Sequence, residues 1–208
     1  MKSQQVSSKI LSEEGFSIIE LVISMAITLA VMAAATTLLA SSLRTRGREN
    51  TRSEALASTQ RALNIMSREI GNTGYGLADN GIVLADSGTS SIRVRANLNN
   101  DSLLTGSDED IRYVYQNPGG ATGSIVRYDN SLGAAGNVVL ATNISALVLT
   151  YFDVNGNVIA NAANYGNAER LTIEVRVDLP ASLEQPATTV KLVSDVALRN
   201  APNTLDSF

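Results

Sequence analysis

Glu20 is the residue whose chemistry most needs a partner. It heads a run from Leu21 to Leu43 that contains no Asp, Glu, Lys, Arg or Pro. A carboxylate at the centre of a bilayer costs about 2.5 to 3.5 kcal/mol, and one near the end of a span costs less. Two readings of the residues remain open. Glu20 is an interfacial carboxylate favoured by the positive end of a helix, or it meets a cation supplied by something else inside an apolar setting.

Other chemistries are excluded by composition. The chain has no His and no Cys, so a Ser-His or Cys-His nucleophile and a His-ligated zinc have no residues to build them. No glycine-rich phosphate loop is present. Lys191 is the only lysine after residue 9 and lies in a strand-like run, so an enzyme is not expected. Asp108-Glu109-Asp110, with Asp101 nearby, offers hard oxygen ligands of the kind calcium takes, but it reads equally as an acidic turn leading into a strand. Asp153-Val154-Asn155-Gly156-Asn157 starts like a calcium loop yet lacks the distal bidentate Glu and reads as a hairpin. No metal residues and no cofactor are assigned.

The elements that must hold Glu20 follow from spacing. As a helix, Leu21 to Leu43 would measure about 34 Å, enough to cross a hydrocarbon core. Ala26, Ala30 and Ala34, and Ser24 and Thr28, recur every four residues. That spacing gives small faces suited to close helix approach in an apolar medium, although any Ala-rich anchor has it. Beyond the run, Leu56, Leu63, Met66 and Ile70 form one apolar stripe of an amphipathic helix. A single helix from Phe16 to about Asn72 would be about 85 Å long. Gly47 is its weakest point, so any loosening on assembly is expected between Leu43 and Arg52. Gly71-Asn72-Thr73-Gly74 is expected to stop it.

Before the run lies a polar leader, Met1 to Gly15, with Lys2 and Lys9 and no apolar core of its own. An ordinary secretory signal is cut after its apolar region, whereas Gly15 comes before it. Gly15-Phe16-Ser17-Ile18-Ile19-Glu20 resembles the type IV prepilin signature. The resemblance implies that a prepilin peptidase cuts between Gly15 and Phe16 on the cytoplasmic face, that Phe16 becomes the N-methylated mature N-terminus, and that the apolar segment is kept as anchor and packing surface. Cleavage would turn a neutral amide nitrogen into an amine of pKa about 7.7 to 8.0. In the pilin family the Glu corresponding to Glu20 is thought to meet a neighbour's N-terminal amine. Such a buried pair is suited to fixing register between apolar helices. Glu20 is therefore assigned to assembly register. Major pilins often carry a helix-bending proline in this segment; here Thr36 and Thr37 stand there, and no kink is expected.

The net charge of −4 would survive processing, because Lys2 and Lys9 leave with Glu13 and Glu14. Arg44, Arg46, Arg48 and Arg52 cluster just past the apolar run, while the segment after Asn72 holds 8 basic against 14 acidic residues. The basic cluster would touch anionic head groups or acidic filament neighbours. By the positive-inside rule it argues for the reverse orientation, and the cleavage signature is given precedence.

After Asn72 the chain is rich in Asn, Gly, Ser and Thr. Expected strands are Ser91 to Ala96, Asp110 to Gln116, Ser124 to Tyr128, Asn137 to Ala141, Ser145 to Asp153, Asn157 to Ala160, Arg170 to Asp178 and Thr188 to Leu198. Leu171, Ile173, Val175 and Val177 alternate with polar residues, as in a strand with one buried face. Asn155-Gly156 is expected to form a type I′ hairpin turn. The fold class is α+β, a long N-terminal helix on a mostly antiparallel sheet. Without cysteine, the C-terminal region is expected to be held by sheet pairing alone, whereas many pilins close it with a disulfide.

Met66-Ser67-Arg68-Glu69-Ile70 with Asn72, Gly74 and Tyr75 is similar to the helix end of PilW-type minor pilins. So are Ser107-Asp108 before Ile111-Arg112-Tyr113, Tyr151-Phe152-Asp153, and Val196-Ala197-Leu198-Arg199-Asn200. The resemblance implies a leader at 1–15, a transmembrane and filament-core helix at 16–43, an amphipathic half at 44–72 and a β-rich pilin domain at 73–208. It implies a minor pilin that primes or caps a type IV pilus. Implied partners are the prepilin peptidase, other minor pilins and the major pilin, the inner-membrane assembly platform and the bilayer. The protein would sit in the bacterial inner membrane with its C-terminal domain periplasmic, then in the pilus. A J-class pseudopilin of type II secretion and a pilus-tip adhesin share the plan. Sugar binding lacks aromatic platforms and nucleic-acid binding lacks a basic stripe. A Tyr-lined groove, or Arg93, Arg95, Arg112 and Arg127 on one face, would restore those readings.

Overall fold

The computed structural model of the chain describes residues 15–179, 181 and 186–201. Residues 1–14, within the expected leader, lie outside them. The first element is a 54-residue helix, α1, Ile18–Gly71. Ser17 stands just before it, and its carbonyl accepts the Leu21 amide at 3.1 Å. The hydroxyls within the apolar run turn back onto their own helix. Ser24 donates to Leu21 O, Thr28 to Ser24 O, Thr37 to Ala34 O and Ser41 to Leu38 O. These four hydroxyls are therefore satisfied without water, which suits a helix in hydrocarbon.

The chain divides at Arg46/Gly47 into two compact units. The division falls inside the stretch expected to be the helix's weakest, although α1 is unbroken there and Thr51 Oγ1 donates to Gly47 O at 3.1 Å. In the first unit the helix is long and apolar enough to cross a membrane, and none of that window is buried.

The second unit combines the rest of α1 with a six-stranded sheet whose strands follow chain order, every neighbouring pair antiparallel. The strands are β1 Ser91–Arg95, β2 Asp110–Gln116, β3 Gly123–Asp129, β4 Val138–Phe152, β5 Arg170–Leu179 and β6 Thr188–Ala197. β5 alternates as its sequence predicts: Leu171, Ile173, Val175, Val177 and Leu179 are buried. They meet a helix stripe of Ala55, Thr59, Ala62, Leu63, Met66 and Ile70. Leu56, expected in that stripe, is only half-buried at its margin. The other three residues expected there, Leu63, Met66 and Ile70, are buried, and the small residues Ala55, Thr59 and Ala62 complete the buried face.

Two predicted strands, Asn137 to Ala141 and Ser145 to Asp153, are one long strand, β4. The intervening Asn143 takes a left-handed backbone, φ 59°, and the register shifts on both sides, toward β3 and toward β5. Asn tolerates that conformation, so it marks a bulge here and not a turn. The irregularities at Asn143 and Ser145 keep Ala141, Ile144 and Leu147 on the buried face although each is three positions from the next.

Asn157 to Ala160 is not a strand; it contributes a single bridge, Phe152 to Val158. Nor is the turn before it type I′. Gly156 alone is left-handed, φ 79°, Asn155 is not, and the Gly156 amide donates to Asp153 O at 3.0 Å. Val154 and Asn155 are therefore the central residues of an ordinary turn, followed by a left-handed glycine. Asp153 Oδ1 accepts from the Asn155 and Asn157 amides, which fixes this geometry.

α1 ends at Gly71, but the left-handed residue that turns the chain is Gly74, φ 78°. The C-terminal region is held by more than sheet pairing. Beyond β6, the Arg199 amide donates to Gly71 O at 3.3 Å, and Asn200 Nδ2 to Thr73 O at 3.1 Å. These bonds satisfy carbonyls that a helix end leaves open, and Leu198 and Ala201 are buried beside them.

Candidate anchor and assembly site

Gly15, Phe16 and Ser17 lead into α1, and Glu20 is the acidic residue of its first turn. Phe16 is 82 % exposed, and Ile18, Ile19, Leu21 and Val22 are exposed as well. A β-carbon built on Gly15 would meet nothing within 4 Å, and its backbone is not left-handed. The fold thus gives no local reason for glycine at position 15. Glu20 is exposed and has no hydrogen-bond or ion-pair partner among the described residues. The site residues read from sequence thus lie together at the open end of an apolar helix.

At the other end of α1 the structure assembles a charged cluster that sequence reasoning missed. Glu69 Oε2, in the helix's last turns, accepts from Arg127 Nε of β3 at 2.9 Å and from the Tyr113 hydroxyl of β2. Arg127 also donates to Asp108. Tyr113 is fully buried. Burial, with the Glu69 carboxylate beside it, pushes its hydroxyl pKa well up. For Arg127, burial pulls the pKa down, but the bonds to Glu69 and Asp108 outweigh it and the pKa is raised. The only sequence signal was Glu69 itself, a carboxylate on the stripe side of an amphipathic helix, three residues beyond the core residue Met66.

The acidic turn resolves into separate bonded pairs. Asp110 takes Arg93 at 2.7 Å, Arg95 at 2.9 Å and Asn130 Nδ2 at 2.8 Å. Burial pushes its pKa up, but those partners overcome it and hold the carboxyl below its usual range. Glu109 accepts from the Asn99 and Gly106 amides at 3.1 and 2.8 Å. Asp129 accepts from the Asp108 amide and from Ser131, which hold its pKa low against the opposing effect of burial. Asp101 Oδ1 accepts the Leu103 amide at 2.7 Å. Each carboxylate is directed to donors of the chain itself, and no group of three or more such side chains that could hold a metal occurs among the described residues.

Among the described residues, neither condition for a ligand-binding face is met. Arg93, Arg95 and Arg112 share the outer face of the sheet by register, but Arg127 lies on the inner face, paired with Glu69. Asp86 and Asp110 neutralise Arg93. Tyr151 and Tyr165 stack at 3.6 Å inside the core. The groove of about 300 Å³ between α1 and β4, and that of about 520 Å³ beside Glu169 and Arg199, have no tyrosine in their walls.

The molecule thus has a long apolar N-terminal helix, exposed along its first half and packed on an antiparallel sheet along its second, an arrangement compatible with a pilin-like fold. No family model matches the chain, and no curated protein matches it.

Proposed function

We propose that the chain is a minor pilin of a type IV pilus, similar to the PilW type. It is cut between Gly15 and Phe16, N-methylated at Phe16, and assembled through its N-terminal helix with other minor pilins and the major pilin to prime or cap the filament. The observation that carries this reading is Glu20. It is an unpartnered carboxylate in the first turn of an exposed apolar helix, four residues from the nitrogen that cleavage would free. A new cation at Phe16 of one subunit gives Glu20 of the next a partner that an uncut chain lacks. The open space at Gly15 supports it too, because a glycine the fold does not use is left to the peptidase. In this reading 1–15 is the leader, 16–43 the membrane and filament-core segment, and 44–72 the amphipathic half. The domain at 73–208 faces the periplasm before assembly. The partners are the peptidase, the assembly platform and the bilayer, with no nucleic acid and no catalytic role.

The deciding measurement is the N-terminal mass of native material. A methylated Phe16 terminus is expected, and a chain still carrying Met1 to Gly15 would overturn the proposal. A J-class pseudopilin shares every one of these features. Neighbouring genes separate the two, minor pilins favouring the pilus and secretion components the pseudopilus.

A further inference from the structure

Arg44, Arg46 and Arg48 follow the apolar run directly. They are the only ionisable residues between Glu20 and Glu49. All are exposed, on a helix that continues unbroken past them. None has a hydrogen-bond or ion-pair partner among the described residues, in contrast to Arg93, Arg95 and Arg127, each of which has its own carboxylate. From Ile18 to Leu43 the helix measures about 39 Å, while a hydrocarbon core is about 30 Å thick. If the first turn starts at one interface, the arginines emerge among the head groups of the opposite leaflet. Long apolar stems let guanidinium groups reach that layer, and their planar fork matches phosphate oxygens.

We propose that Arg44, Arg46 and Arg48 form a cationic belt that binds the phosphate groups of anionic phospholipids and sets the depth of the helix in the membrane. This rests on the reading that 18–43 spans a bilayer, and on neither cleavage nor a particular orientation. The bilayer is favoured over an acidic protein surface because the arginines begin at the residue after Leu43, with no acidic residue until Glu49. The belt would hold a subunit in the membrane until assembly replaces lipid contacts with protein ones.

The chain has no cysteine, so a Ser42→Cys variant of the full chain accepts a single fluorophore beside the belt. In bilayers of mixed phosphatidylcholine and phosphatidylglycerol, quenching by spin-labelled phosphatidylglycerol is compared with quenching by spin-labelled phosphatidylcholine. Each arginine near an anionic surface favours it by about fivefold, so an excess of at least about fivefold is expected for the set. The excess should fall with salt, persist when the three arginines become lysine, and vanish when they become glutamine. Equal quenching by the two lipids, or an excess that survives the glutamine changes, would overturn the belt. So would a salt-sensitive self-association, lost in the glutamine variant, without lipid preference; that result would assign the arginines to a second copy of the chain. The terminal mass measurement is independent. An intact leader with strong lipid preference removes the pilin reading alone, and a cut chain without lipid preference removes the belt alone.

Discussion

Arg127 Nε on β3 lies 2.9 Å from Glu69 Oε2 in the last turn of α1, and that contact ties the helix to the half of the sheet farthest from β5 and β6. Tyr113 donates to the same oxygen. Arg127 is 12 % exposed at its side chain and Glu69 20 %, so the pair is only weakly screened by solvent.

Replacing Arg127 with Ala should therefore destabilise the domain by about 3 kcal/mol, because it leaves a carboxylate buried beside a phenol without its cation. Tyr113→Phe should cost less, about 1.5 kcal/mol, the lower end for a hydrogen bond to a charged group. Denaturant midpoints of the full chain in detergent test both. Equal, small losses would mean that the cluster contributes nothing to docking the helix.

Acid stability should depend on Asp110. Its pKa is depressed in the fold relative to about 3.9 in the unfolded chain, so its contribution is complete above that value and is lost as pH falls through the lower, folded one. Asp129, also depressed, acts in the same direction. Stability of the native chain should fall steeply below about pH 4, and Asp110→Asn should be less stable at neutral pH yet fall less steeply in acid. A variant with an unchanged acid slope would contradict this.

The helix stripe can be tested by contrast. Met66 is fully buried and Leu56 only half-buried. Met66→Ala should cost about 2 to 5 kcal/mol, and Leu56→Ala clearly less. A reversal of that order, read from thermal unfolding, would put Leu56 at the centre of the buried stripe and Met66 at its margin.

Processing and assembly are separable at two positions. Gly15→Ala introduces no clash, so it should leave the fold intact and the precursor uncut. Normal cleavage of that variant would remove the assignment. Glu20→Ala should be cut normally but incorporated poorly. Filaments that contain it at native levels would show that register is set elsewhere.

What the sequence discloses and what it conceals differ in range. α1 is legible because an uncharged apolar run leads into an apolar stripe at helical spacing, and β5 because it alternates over its whole length. β4 is misread as two strands because Asn143 carries the chemistry of a turn residue, while the decision between turn and bulge is made by β3 and β5 on either side. The turn at Asn155-Gly156 is misread for a related reason. The Asp153 side chain takes the amides that a type I′ turn would have arranged differently. Glu69, Tyr113 and Arg127 lie 44 and 58 residues apart along the chain, and no local pattern brings them to one oxygen.

The strand order has a consequence for how the domain is made. Because β1 to β6 follow one another in the sheet as they do in the chain, every strand after β1 finds a partner that has already emerged. Sequential partners shorten the chain that must be closed at each step, which favours rapid formation. A domain delivered N-terminus first grows strand by strand. Only the last residues, where Arg199 and Asn200 return to the carbonyls of Gly71 and Thr73, would wait for the whole chain to arrive.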